Sequence, residues 1–197
     1  MPAHYALSDA AIVLVAIWGV IALSQTRLTL PAFAMACFGI AAAIGVVRFS
    51  AGLQAELALA HATASTVLGL AGAAALAIAC LRRGGGRGDL PITVALLVLA
   101  GALAVFAPAL IAPLFVLAGV TALLTTLWRG IRNGSGWLAP TGFALLLANV
   151  LLIRRAPWLS EATAWHAYHL LIALALAMVT MALRPNEARV FSAQSSA

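Results

Sequence analysis

Residues 57–81 read LALAHATASTVLGLAGAAALAIACL, twenty-five positions without one Asp, Glu, Lys or Arg. A bilayer's hydrocarbon is crossed by about 20 such residues in an α-helix. The run is therefore expected to span a membrane, and its neighbours have the same character. Upstream lie Tyr5–Ser24 and Pro31–Phe49, and downstream Pro91–Phe106, Leu110–Trp128, Trp137–Ile153 and Glu161–Leu183. Seven spans joined by short links predict an all-α, polytopic membrane bundle. Residues 1–184 form its single transmembrane domain, and 185–197 a polar tail.

Composition demands the same solvent. Of 197 residues, 64% are hydrophobic and 8% charged, with a mean hydropathy of +1.10. Soluble domains carry about a quarter charged residues, so this chain cannot coat a water-facing surface. The breakers fall between the runs. Gly84-Gly85-Gly86 stands among Arg82, Arg83 and Arg87, and Asn133-Gly134-Ser135-Gly136 is a second turn signal. Pro108 and Pro113 bracket a short link that also reads as a tight, apolar helical hairpin. Ser160 before Glu161 offers an N-cap with an acid in the first turn. Gly39, Gly45, Gly69 and Gly72 smooth the second and third helices for close packing. Cys37 and Cys80 lie inside apolar runs, without metal-clip or redox spacing, and are expected in the core.

The net charge of +6 comes from eleven arginines and no lysine. The clusters lie between apolar runs, where they orient a membrane protein and meet anionic lipid. No basic helix or aromatic-interleaved basic patch exists, so nucleic acid is excluded as a partner. Arginine in place of lysine, with abundant Ala, Leu, Gly and Val, suggests a GC-rich bacterial genome. With seven spans, eight arginines fall on one side and Arg48, Arg154 and Arg155 on the other. The positive-inside rule then places the N-terminus outside a bacterial inner membrane and the C-terminus in the cytoplasm. No Lys or Arg precedes the first run, so it is expected to be a permanent span rather than a cleaved signal.

That topology gathers the ionisable residues on the outer side. His4, His61, His166 and His169 all land there, with Asp9, Glu56 and Glu161. Ser50, Gln54, Ser65 and Asn149 add polarity in the outer half. Ionisable groups in a span usually face the bundle interior or a wet cavity, so a polar pocket is expected among helices two, three, six and seven. In Trp165-His166-Ala167-Tyr168-His169 the two histidines share a helix face. With His61 they would make a three-histidine zinc site with an open position for water. Glu56, Glu161 or Ser65 would then serve as proton acceptor or supporting partner. Trp158, Trp165 and Tyr168 read equally as an interfacial aromatic belt, and the histidines as structural or proton-linked groups. Arg48, Arg154 and Arg155 are candidate anion or lipid contacts, or snorkelling side chains.

The layout resembles the CREST superfamily, which includes alkaline ceramidases and the progestin and adipoQ receptors. The residues that carry the resemblance are His166 and His169 on the seventh helix and Ser50 at the end of the second. The histidine pair is spaced i, i+3 rather than i, i+4, and Arg48 stands where that group has a histidine. The resemblance implies a zinc ion near one membrane face and hydrolysis of an amide or ester in a lipid-like molecule. Two other readings stand beside it. One is a non-enzymatic membrane subunit or small transporter that binds lipid, an anion, other membrane proteins or itself. The other is a haem-b redox subunit with His61 paired to a seventh-helix histidine.

Overall fold

The computed structural model describes residues 3–82, 89–133, 136–154 and 156–184. The triple glycine, the centre of the Asn133–Gly136 turn, Arg155 and the tail lie outside them. The described chain is helical throughout: α1 (Tyr5–Ser24), α2 (Thr29–Ser50), α3 (Ala58–Arg82), α4 (Asp89–Phe106), α5 (Ile111–Asn133), α6 (Leu138–Ala148, continued by a π turn Asn149–Ile153) and α7 (Glu161–Leu183). A single 3₁₀ turn, Pro108–Leu110, precedes α5. Six helices are long and apolar enough to cross a membrane, and the apolar Leu138–Ile153 segment is shorter. The chain is an all-α, multi-pass membrane bundle.

Helix ends follow local chemistry. Ser160 Oγ accepts the Thr163 amide at 3.2 Å and caps α7. Pro31 does not start α2; the helix begins at Thr29 and the proline occupies its first turn, where no amide donor is required. α5 runs past Trp128 to Asn133, carrying Arg129 and Arg132 on its last turns. At that end of the bundle, buried Asp89 accepts hydrogen bonds from Arg82 Nη1 (2.9 Å) and from the Thr29 hydroxyl. Those bonds tie α2, α3 and α4 together. Arg129 Nη2 adds a bond to the Leu81 carbonyl at 3.2 Å.

The packing order departs from the chain order. α1, α2, α3, α5, α6 and α7 form a closed ring in which α7 returns to α1 and α5 packs directly on α3. α4 lies outside the ring against α3 and meets α5 only marginally. The Pro108 link is therefore not the turn of a packed hairpin. In lipid, both faces of α4 are apolar, so nothing in its periodicity marks it as peripheral. The core runs down the ring and includes Met35, Phe143, Leu176 and Val179. Cys37 and Cys80 are free and buried. Close approach explains Gly39, where a β-carbon would come 2.7 Å from Ala16 Cβ.

Candidate functional site

The ring encloses a cavity of about 90 Å³, and all six ring helices line it. Asp9 comes from α1, Ala41 and Ala42 from α2, and His61, Ser65 and Gly69 from α3. Phe115, Leu146, Tyr168 and His169 complete it from α5, α6 and α7. The volume admits several waters or a small chemical group. The polar lining lies towards one end of the bundle. Asp9 is four residues into α1 and His169 eight into α7, about 6 and 12 Å from the helix starts.

Asp9 is the centre of the site. It is 0% exposed, and neither carboxylate oxygen has a hydrogen-bond partner among the described residues. Oδ1 lies 3.2 Å from His169 Nε2, close enough for an ion pair although not aligned as a hydrogen bond. Oδ2 faces Gly45 on α2. A β-carbon there would overlap this oxygen and come 2.9 Å from both Asp9 Cγ and His61 Nε2. Glycine at position 45 is thus what lets the carboxylate and the His61 ring approach each other.

Hydrogen-bond partners fix the two ring tautomers. His169 Nδ1 lies 2.8 Å from the Trp165 carbonyl, which only accepts, so Nδ1 carries a hydrogen. In the neutral ring Nε2 carries the lone pair, 3.2 Å from Asp9 Oδ1 and off the hydrogen-bond axis. His61 is the opposite tautomer. Arg48 Nη1 approaches its Nδ1 at 3.3 Å, and guanidinium has no acceptor, so Nδ1 accepts and Nε2 carries the hydrogen. Arg48 is held in turn by the Gln54 carbonyl, 2.9 Å from its Nε, and lies over the Phe49 ring. The cavity therefore faces a carboxylate beside an imidazole nitrogen on one side and an N–H donor on the other.

An aromatic layer covers this end. Tyr5, Phe49 and Trp165 pack together, with Trp165 tilted over His169 at 4.3 Å between ring centres. They sit between Asp9 and the helix ends, closing the route from that face. Ser65, which is exposed, stands at the cavity's edge on α3.

The structure divides the residues singled out in the sequence. His61, His169 and Ser65 line the cavity, and Arg48 and Gln54 support it. His166 does not join them. Its Nδ1 lies 3.1 Å from Ser8 Oγ, whose own hydrogen goes to the Tyr5 carbonyl, so His166 donates and pins α7 to α1. Among the described residues, no three His, Cys, Asp or Glu side chains are grouped as one metal ion requires. The His61–His166–His169 zinc set is therefore not assembled here: one ring turns to Ser8, and His61 presents N–H rather than a lone pair. Glu56 and Glu161 are exposed and away from the cavity; the acid in the site is Asp9. Ser50 Oγ bonds the Val46 carbonyl of its own helix at 2.7 Å. Asn149 is buried beside the site and donates to the Tyr168 carbonyl at 2.7 Å. Arg154 lies over the Tyr168 ring, and Arg155 is outside the described residues.

Asp9 carried a readable signal. It is the one acid well inside an apolar run, where an ionisable residue marks a functional site by default. Against models of protein families, curated proteins and solved structures, the chain finds no match.

Proposed function

We propose that this chain is a membrane-embedded hydrolase that cleaves an amide or ester bond in a lipid-like molecule, with Asp9, His169 and His61 as its working groups. The observation that carries the reading is the unpartnered, fully buried Asp9 carboxylate beside His169 Nε2. A buried carboxylate without donors is costly to keep, and its two neighbours are suited to moving a proton and binding an oxygen.

In this reading, water in the cavity attacks the carbonyl carbon while the Asp9–His169 pair takes its proton. The His61 Nε2–H stabilises the charge that develops on the carbonyl oxygen. The C–N or C–O bond then breaks, and the same proton passes to the leaving nitrogen or oxygen. Arg48 holds the His61 tautomer that this role needs. The likeness in layout to the CREST superfamily supports a hydrolase of this class; the zinc that kinship would imply has no grouped donor set here, and no step is assigned to it.

Two features favour a lipid-like substrate. Ser65 is exposed at the cavity's edge on an apolar helix, and the cavity admits only the reacting part of a larger molecule. The site also lies one to two turns from the helix ends, the depth at which lipid ester and amide bonds sit. An alternating-access transporter would place its site near the bilayer midplane. By the arginine distribution, this end faces the outside of a bacterial inner membrane.

The test is turnover by the purified, liposome-reconstituted protein on a panel of fluorescent lipid amides and esters. The wild type should release fatty acid from at least one class, and Asp9→Asn and His169→Ala should abolish release while retaining helical content. Turnover unchanged in both variants, or none on any member of either class, would overturn the proposal.

A further inference from the structure

Away from the central cavity, α5 and the π turn at the end of α6 diverge to leave a groove of about 490 Å³ on the outside of the ring. Ala112, Pro113, Val116, Leu117 and Val120 form one wall, and Val150 and Leu151 the other. The wall on α5 runs from Ala112 to Val120, about 12 Å along the helix. One charged residue lines the groove: Arg154. It follows the π turn, where its amide bonds the Asn149 carbonyl five residues back at 3.1 Å. Its guanidinium lies over the Tyr168 ring, 5.9 Å from the centre. Among the described residues no carboxylate pairs with it.

We infer that this groove binds one anionic phospholipid, with the phosphate on Arg154 and an acyl chain along Ala112–Val120. The apolar wall faces the bilayer, so a hydrocarbon chain is its natural occupant. A cation held at the end of such a wall, near the membrane face, lacks only an anion, and a guanidinium forks onto phosphate oxygens. The π turn supplies the geometry, because the extra residue per turn widens the gap from α5 and sets Arg154 above it. Stacking on Tyr168 restricts the guanidinium before the lipid arrives, which lowers the entropy cost of binding.

The experiment is native mass spectrometry of the detergent-purified full chain with phosphatidylglycerol or phosphatidylcholine of matched acyl chains. The expected result is one phosphatidylglycerol retained per chain, with about tenfold preference over phosphatidylcholine, whose choline cation offsets the phosphate charge and is repelled by Arg154. Arg154→Gln should remove the preference. Val116→Trp should fill the groove and reduce retention of both lipids. Arg132→Gln, at the other end of α5, should change nothing. Equal retention of the two lipids by the wild type, an unchanged preference in Arg154→Gln, or displacement of the lipid by millimolar inorganic phosphate would overturn the proposal. Arg154 is exposed, so its variant reports even if Val116→Trp fails to fold.

Discussion

Replacing Gly45 by alanine gives a measurable account of how the site is built. In an ordinary helix interior, Gly→Ala stabilises by about 0.5–1 kcal/mol. Here the added methyl would overlap an Asp9 carboxylate oxygen and stand 2.9 Å from Asp9 Cγ and from His61 Nε2. Overpacking of this kind costs about 1–3 kcal/mol, so Gly45→Ala should destabilise by a net value of about 0.5–2 kcal/mol. The same substitution behaves differently once the carboxylate is removed. In an Asp9→Ala background the nearest obstacle is gone, and the tip of the His61 ring can move into the space released. Gly45→Ala should then be neutral or stabilising, giving a coupling of about 1–3 kcal/mol between positions 9 and 45. The assay is a double-mutant cycle on detergent-solubilised protein, unfolded by titrating in a denaturing detergent and followed by circular dichroism. Asp9→Ala alone should not destabilise, because it removes a buried carboxylate with no hydrogen-bond donor. A Gly45→Ala cost that is the same in both backgrounds would refute the placement of Asp9 over Gly45.

Three further perturbations probe the frame around the site. Arg82→Ala removes the 2.9 Å ion pair with Asp89, which is 3% exposed; discounted for the half-exposed arginine, the loss should be about 1–2 kcal/mol in the same unfolding assay. Asn149→Ala removes the bond to the Tyr168 carbonyl on α7 and should cost about 1–3 kcal/mol, with faster hydrogen exchange at the start of α7. Ser160→Ala deletes the cap on the Thr163 amide and should cost about 1 kcal/mol, whereas Ser160→Asp should retain stability.

Much of this architecture is legible in the sequence because lipid imposes length. Tyr5–Ser24 and Glu161–Leu183 appear in the structure with the bounds their apolar runs suggest, and Ser160 caps where its position predicts. Depth is readable too: counting residues from the helix starts puts His61 and His169 near one end of the bundle. Neighbours are not readable. Inside a bilayer, an apolar face does not distinguish the core from the lipid, so nothing along α4 reveals that α5 passes it to reach α3. The π turn at Asn149 depends on a single displaced hydrogen bond that composition does not encode. The two histidines of α7 illustrate both limits. Their spacing puts them on one helix face, yet one meets Ser8 and the other Asp9, and only the position of α1 decides which. Glu56 and Glu161 stand near helix starts, where an acid can remain in water; Asp9 has no such escape.

The closure of the ring between its first and last helices sets a timetable for making this protein. Asp9 leaves the ribosome 160 positions ahead of His169. At about 5–20 residues per second, the interval is on the order of ten to thirty seconds. Throughout that interval the carboxylate waits near the membrane without the imidazole that meets it in the finished bundle. A chain stalled before α7 holds α1 to α6 with the cavity unclosed on the side that His169 lines. Until α7 packs against α1, Asp9 lies on an open helix face, and that exposed acid is what distinguishes the unclosed bundle from the closed one.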